Sequence, residues 1–513
     1  MSAGEHAAAA QRALQGGDLA TAIDRSQRAL RADGTRLDAM LTLARALLHG
    51  GQRDNAVDVL TRATSVHPRA WQAHFHLAQA LHMKSVDHTR ARAAYERAME
   101  LNPGFAGTHA ALAKLCEEVN ELDDARRHAD RAIELAPDDP ACLLAAALVD
   151  RRTGEHRAAV DRLRSVLDHD ARAAQLPPIT RALAHRSFGQ SLDALGEHER
   201  ARGAFARAHA ERWSMPDGRR VDPRRALDSV DAARRNLEPG TLRAWAGAEP
   251  SPGDAAPVFL IGFPRSGTTL TEQILGCHPG VVTLDENSPL SDVSRALAPR
   301  APSGHAADAL GGVGEGDARA LRARYAQGAD LRLERAGAGP RSGRLLIDKL
   351  PLNIVQLPVI ARVFPDARLI VAIRDPRDVC VSCLSQVMTP NAEMAHLRSI
   401  ESAAAYYARV MALWLDARAH VPNAYHESRY EDLVSDPEAS IRGLTDFLGL
   451  AWDDALLRHH ELVRGKAIST PSYEAVGSPI ARGAAGRWRQ HADAFEDVGD
   501  ALDRFLDAFG YER

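Results

Sequence analysis

Val258–Leu270 reads VFLIGFPRSGTTL. A β-branched and aromatic run ends at Gly262, Gly267 follows five residues later, and the pattern of Thr269, Leu270, Gln273 and Ile274 predicts a helix. Strand, tight turn and helix N-terminus form the setting in which unpaired backbone N–H groups, carrying about half a positive charge, hold an anion. Ser266, Thr268 and Thr269 add hydroxyl donors and Arg265 a forked cation. The frame is GxxxxG-T-T, where a nucleoside triphosphatase has GxxxxG-K-[ST], so the lysine that serves a triphosphate is replaced.

A triphosphate site also needs a magnesium-binding carboxylate at the end of a later strand. The later strand in ARLIVAIRDPRD ends Arg374-Asp375-Pro376, so a cation comes first. A group of lower charge, transferred without metal, fits this better. Sulfuryl transfer from a phosphosulfate is such a reaction, because its leaving group is a phosphate.

PRSGTTLTEQILGCHPGVVTLDEN resembles the 5'-phosphosulfate loop of sulfotransferases, most closely the tyrosylprotein branch, and FPDARLIVAIRDPRDVCVSC resembles that family's 3'-phosphate segment. The likeness covers about residues 257–490. It implies a P-loop α/β domain with a parallel sheet and 3'-phosphoadenylyl sulfate (PAPS) as donor, without metal. It implies that Arg265, Ser266, Gly267, Thr268 and Thr269 hold the 5'-phosphosulfate, and that Glu286, 21 residues after Arg265, is the general base. Lys349 in IDKLPLN matches the lysine on the bridging oxygen, Arg374 and Ser382 the 3'-phosphate ligands, and Tyr430 a nucleotide contact. Ser472 and Arg487 match the closing loop, a serine near the sulfuryl group and a cation before Trp488.

The chemistry asks for the same residue types. An acceptor phenol, with a pKa of about 10, needs a carboxylate to take its proton, and cations must stabilise charge moving from sulfur to phosphate. Asp285 is the rival to Glu286, and Lys349 has the alternative of a plain ion pair with its neighbour Asp348. Gln386 stands where the tyrosylprotein enzymes carry a further arginine, and the segment between Ser288 and Gly343 has no counterpart we could align. Cys380-x-x-Cys383 lacks a second ligand pair and is read as buried and structural; His459-His460-Glu461 lacks the HExxH frame and is read as solvated helix.

The first half repeats. Ala22, Ala56, Ala91, Ala125 and Ala159 are spaced 34, 35, 34 and 34 residues apart, with a second alanine seven residues on at Ala29, Ala63, Ala98 and Ala132. Seven residues are two helical turns, so both alanines share a face that a paired helix approaches closely. Leu43-Ala44, Leu77-Ala78 and Leu112-Ala113 mark the first helix of each pair. The pattern resembles tetratricopeptide repeats, and a last copy carries Ala201 and Ala208. The expected organisation is an α-solenoid over 1–235, a Pro- and Gly-rich linker over 236–256, and the sulfotransferase domain over 257–513. The solenoid groove is expected to take a protein or peptide partner.

Composition narrows the alternatives. The 513 residues carry 64 basic and 68 acidic side chains, a net charge of −4, so no global field favours nucleic acid or an anionic membrane. Five scattered cysteines and the absence of a signal-like or 18-residue apolar run give a soluble, cytoplasmic expectation. The acceptor is expected to be a protein tyrosine, with a small-molecule or carbohydrate hydroxyl as the alternative. A P-loop kinase and a non-catalytic repeat adaptor are the rivals from other classes.

Overall fold

The computed structural model describes residues 1–83, 88–245, 256–459, 480, 483 and 485–513. By packing the chain divides into two compact units, Met1–Leu195 and the described residues from Gly196 onward.

The first unit is built of helical pairs. α1 (Ala3–Gln15) packs with α2 (Leu19–Ala32), α3 (Leu37–His49) with α4 (Arg53–Val66), α5 (Trp71–His82) with α6 (His88–Leu101), α7 (Ala106–Glu118) with α8 (Leu122–Leu135), and α9 (Pro140–Arg152) with α10 (His156–Leu167). α11 (Pro178–Ala194) follows and packs on α10. The alanines Ala22, Ala29, Ala56, Ala63, Ala91, Ala98, Ala125, Ala132 and Ala159 are all fully buried, which is the close approach their spacing demands. Five residues before the first alanine of a pair the chain reverses through positive φ, at Gly51 (+75°) and, in the same repeat position, at Asn120 (+63°). Asparagine is one of the few side chains that tolerate that region.

The last repeat copy behaves differently. Ala201 and Ala208 are again buried on α12 (His198–Trp213), but α12 belongs to the second unit, where His209 Nε2 donates to the Leu384 carbonyl at 2.9 Å. α13 (Arg224–Arg235) joins it there: Arg235 and the adjoining Asn236 both bond Asp308 at 2.8 Å. The packing division thus falls at Leu195/Gly196, whereas repeat counting places it near 235. Within the expected linker, residues 239–245 form a short helix, because Leu242 and Trp245, three apart on one face, are both buried.

The second unit holds a five-stranded parallel sheet of β1 (Val258–Gly262), β2 (Val281–Asp285), β3 (Leu345–Lys349), β4 (Arg368–Ile373) and β5 (Tyr425–Arg429), in the order β2-β3-β1-β4-β5. β1 is buried throughout, so its near-continuous apolar run is what a central parallel strand requires. Its side chains alternate: Val258 and Leu260 pack with Ile347, Ile370 and Leu444 on one face, while Phe259 meets Tyr325 and Phe364 on the other. The segment between β2 and β3, which no motif explains, forms α14 (Leu290–Leu297), two 3-10 turns and α15 (Glu315–Arg335). From β1 the chain steps to β2 and β3 on one side and to β4 and β5 on the other. The carboxyl ends of β1, β3 and β4 therefore flank the crevice in which open parallel sheets bind ligands. No helix among the described residues is long and apolar enough to cross a membrane.

Candidate active site

The turn after β1 is shaped by what cannot fit there. Gly262 has φ +147°, and a Cβ on it would lie 2.5 Å from the Ala372 carbonyl oxygen of β4. Gly267 has φ +95°, and a Cβ on it would lie 2.8 Å from the Tyr430 ring. The helix that follows, Thr268–Leu275, opens with Thr268 and Thr269, both buried like Ser266 in the turn before them. Among the described residues only Asn120, Arg265 and Glu286 are non-glycines at positive φ. The last two are sequence-predicted site residues, and such strain concentrates at functional positions.

Around the turn lies a cationic group. Arg265 Nε donates to Ser382 Oγ at 3.1 Å, Arg374 donates to the Arg265 carbonyl at 3.2 Å, and the Arg374 guanidinium lies 4.6 Å from the centre of the Tyr430 ring. Ser382 comes from the helix Pro376–Leu384, whose buried Cys383 sets its Sγ 3.9 Å from the Pro264 carbonyl and braces the turn. Cys380 is buried as well. Asp378, on the same helix, accepts from the backbone N–H groups of Gly486 and Trp488 at 2.6 and 2.8 Å, which brings half-buried Arg487 to this side of the sheet. Burial pushes the Asp378 carboxyl above its usual value in spite of Arg374 and those amides. Asp375, the first acid after β4, is turned to Arg377 at 2.8 Å. Gln386, beside Ser385, is buried.

A second group lies at the ends of β2 and β3. Strand alternation sends Asp348 and Lys349 to opposite faces. Asp348 accepts from Ser288 Oγ at 2.7 Å and Tyr325 Oη at 2.8 Å, and burial pushes it up to about 6. The plain Asp348–Lys349 pair does not form. Lys349, fully buried, instead meets Asp285, Glu286 at 3.2 Å and Glu272 at 3.4 Å. Burial opposes its charge, and the three carboxylates outweigh burial, holding the ammonium above its usual value. Glu286 N donates to the Lys349 carbonyl at 2.8 Å, so the base candidate and the lysine are tied through backbone as well as side chains. Asp285 touches Lys349 too; Glu286 is the more exposed carboxylate, at 45% against 27%. Burial holds the Arg265 guanidinium below its usual value, Arg374 adds to the fall, and Cys383, Glu286 and Tyr430 oppose it.

Sequence reading missed Glu272. Its signal was present: an acid one turn after Thr268, on a helix with no other charged residue, is buried only when paired. Ser472 lies outside the described residues, as do His460 and Glu461; His459 is buried, not solvated.

Residues 257–454 match a family model described as Sulfotransferase family, and residues 41–104 and 82–149 match two tetratricopeptide repeat models. The chain is 26% identical over 413 residues to an uncharacterized protein of Aquifex aeolicus (strain VF5), covering 79% of this chain and 51% of that one. It is 29% identical over 210 residues to protein-tyrosine sulfotransferase 1 of Danio rerio, covering 41% of this chain and 57% of that one. Among solved structures, the sulfotransferase domain from the Synechococcus PCC 7002 olefin synthase aligns with a TM-score of 0.36 and 22% identity, over 51% of this chain and 98% of that one. The chain spans about half the length of the first curated relatives it matches.

Proposed function

We propose, for a chain whose residues 257–454 are a sulfotransferase-family domain behind tetratricopeptide repeats, the transfer of a sulfuryl group from 3'-phosphoadenylyl sulfate to an acceptor hydroxyl. The observation that carries the reading is the convergence of Arg265, Ser382, Arg374 and Tyr430 on the Gly262–Gly267 turn, beside the Lys349–Glu286 pair. In this reading the helix amides with Ser266, Gly267, Thr268 and Thr269 cradle the 5'-phosphosulfate. Arg374 and Ser382 take the 3'-phosphate, and Tyr430 lies against the nucleotide.

Glu286, open enough to meet an acceptor, removes the hydroxyl proton as the oxygen attacks sulfur and the S–O bond to phosphate breaks. Arg265 and Lys349 stabilise the negative charge that passes to the departing phosphate. No metal takes part. The strand-end acid that a magnesium-dependent kinase would use, Asp375, is occupied by Arg377. Arg487 adds a further cation on the donor side.

The acceptor in this proposal is a protein tyrosine, in line with the named relatives, delivered by a peptide bound along the repeats; the setting is the cytoplasm. The test is incubation of the purified chain with 35S-labelled donor and tyrosine peptides, with and without EDTA. Label on tyrosine that survives chelation supports the proposal, while hydrolysis of ATP that requires magnesium, without label transfer, overturns it. Glu286→Gln is expected to lower turnover by about 10²–10⁴-fold while donor affinity stays within a few-fold.

A further inference from the structure

Three carboxylates surround the Lys349 ammonium, and they differ in access to water. The Glu286 side chain is 45% exposed, Asp285 27% and Glu272 1%, and Lys349 itself is sealed. With every group ionised the cluster is net negative, at the sheet edge where the donor reading places another anion. The two charges repel unless a carboxylate takes a proton. The group least able to be hydrated gains most from neutralisation, and that is Glu272.

Its surroundings offer few other partners. Facing Glu272 are Lys349 and the uncharged Thr283, with Asp285 beyond. β1 contributes no titratable side chain, and the 454–458 turn packed on the Glu272 helix brings Asp454, bonded to Trp452 Nε1, and Arg458.

We propose that Glu272 is a positioning residue that fixes Lys349 as a carboxylate and takes up a proton as the anionic donor enters, so that donor affinity is linked to pH. This rests on the donor reading above. Burial pushes the Glu272 carboxyl up to about 7 against the pull of Lys349, so the free protein holds both forms near neutrality. Added negative charge raises it further. Binding then draws in up to one proton wherever the free protein is ionised, and affinity weakens by up to about tenfold per pH unit above 7. Neutralising Glu272 relieves Lys349 of one competitor for its charge.

The experiment is calorimetric titration of the full chain with adenosine 3',5'-bisphosphate from pH 6 to 8.5, repeated in two buffers of different ionisation enthalpy. The wild type is expected to take up between half a proton and one proton at pH 7.5–8 and to lose affinity about tenfold or more across the range. Glu272→Gln, similar in shape and without the titration, should bind with a flat profile and more tightly than wild type at pH 8.5. Glu272→Asp, with its ionisable group retained, should restore the proton uptake and shows whether the glutamine effect is one of charge rather than folding. Identical pH profiles and proton uptake for wild type and Glu272→Gln overturn the inference with the donor reading intact. Absence of bisphosphate binding by the wild type at every pH overturns the donor reading, and the inference with it.

Discussion

Gly267 is held at φ +95° with the Tyr430 ring where a Cβ would go, so one residue sets both the turn and the wall of the proposed nucleotide site. Gly267→Ala is expected to strain the backbone by roughly 1–3 kcal/mol and push the Tyr430 ring aside. Bisphosphate affinity should fall at least tenfold while the helical repeats, monitored by hydrogen exchange, remain unchanged; undiminished affinity would remove Tyr430 from the nucleotide site. Arg265 and Glu286 accept the same unfavourable φ without glycine's freedom, because each is held by others: Arg265 through Ser382 and the Arg374 bond to its carbonyl, Glu286 through Lys349. The family resemblance pointed to all of these residues. It did not name Glu272: an acid inside that helix signals a buried pair, but its chain position does not say that the partner is a lysine 77 residues later.

At the scale of elements, α12 carries the sequence pattern of a repeat and the packing of a helix of the second unit. His209 is its anchor, buried, with Nε2 on the Leu384 carbonyl at the end of the helix that carries Ser382. Burial holds the His209 imidazole below its usual value, which that hydrogen bond only partly opposes. A depressed pKa contributes stability above the unfolded value, near 6.5, and that stability is lost as pH falls through the folded value. Acidification from pH 7.5 to 5.5 is therefore expected to loosen α12. After correction for intrinsic rates, hydrogen exchange of its amides should quicken in the wild type and stay level in His209→Gln, whose amide can still donate to the carbonyl. Equal responses in both would assign the pH effect elsewhere.

At the scale of the whole molecule, the packing division at Leu195/Gly196 predicts where the chain can be cut. A fragment of residues 196–513 should unfold cooperatively and bind adenosine 3',5'-bisphosphate. A fragment of 236–513 loses buried Phe205, Ala208, Ala226 and Val230 with the His209 and Arg235 bonds. At roughly 1–3 kcal/mol per large apolar side chain its melting point should fall by about 10 °C or more. Equal melting points would return the boundary to 235. The repeat period, the alanine faces and the glycine turn after β1 were legible in the sequence alone, because each depends on local geometry: two helical turns between alanines, and a strand, a glycine turn and a helix start in succession. Tertiary structure alone decided that Asp348 turns away from Lys349, that Glu272 joins Asp285 and Glu286 around it, and that the last repeat helix serves the second unit. Each of these turns on which distant segments exclude water from one another, and burial of that kind sets charge and partnership only once the chain has folded.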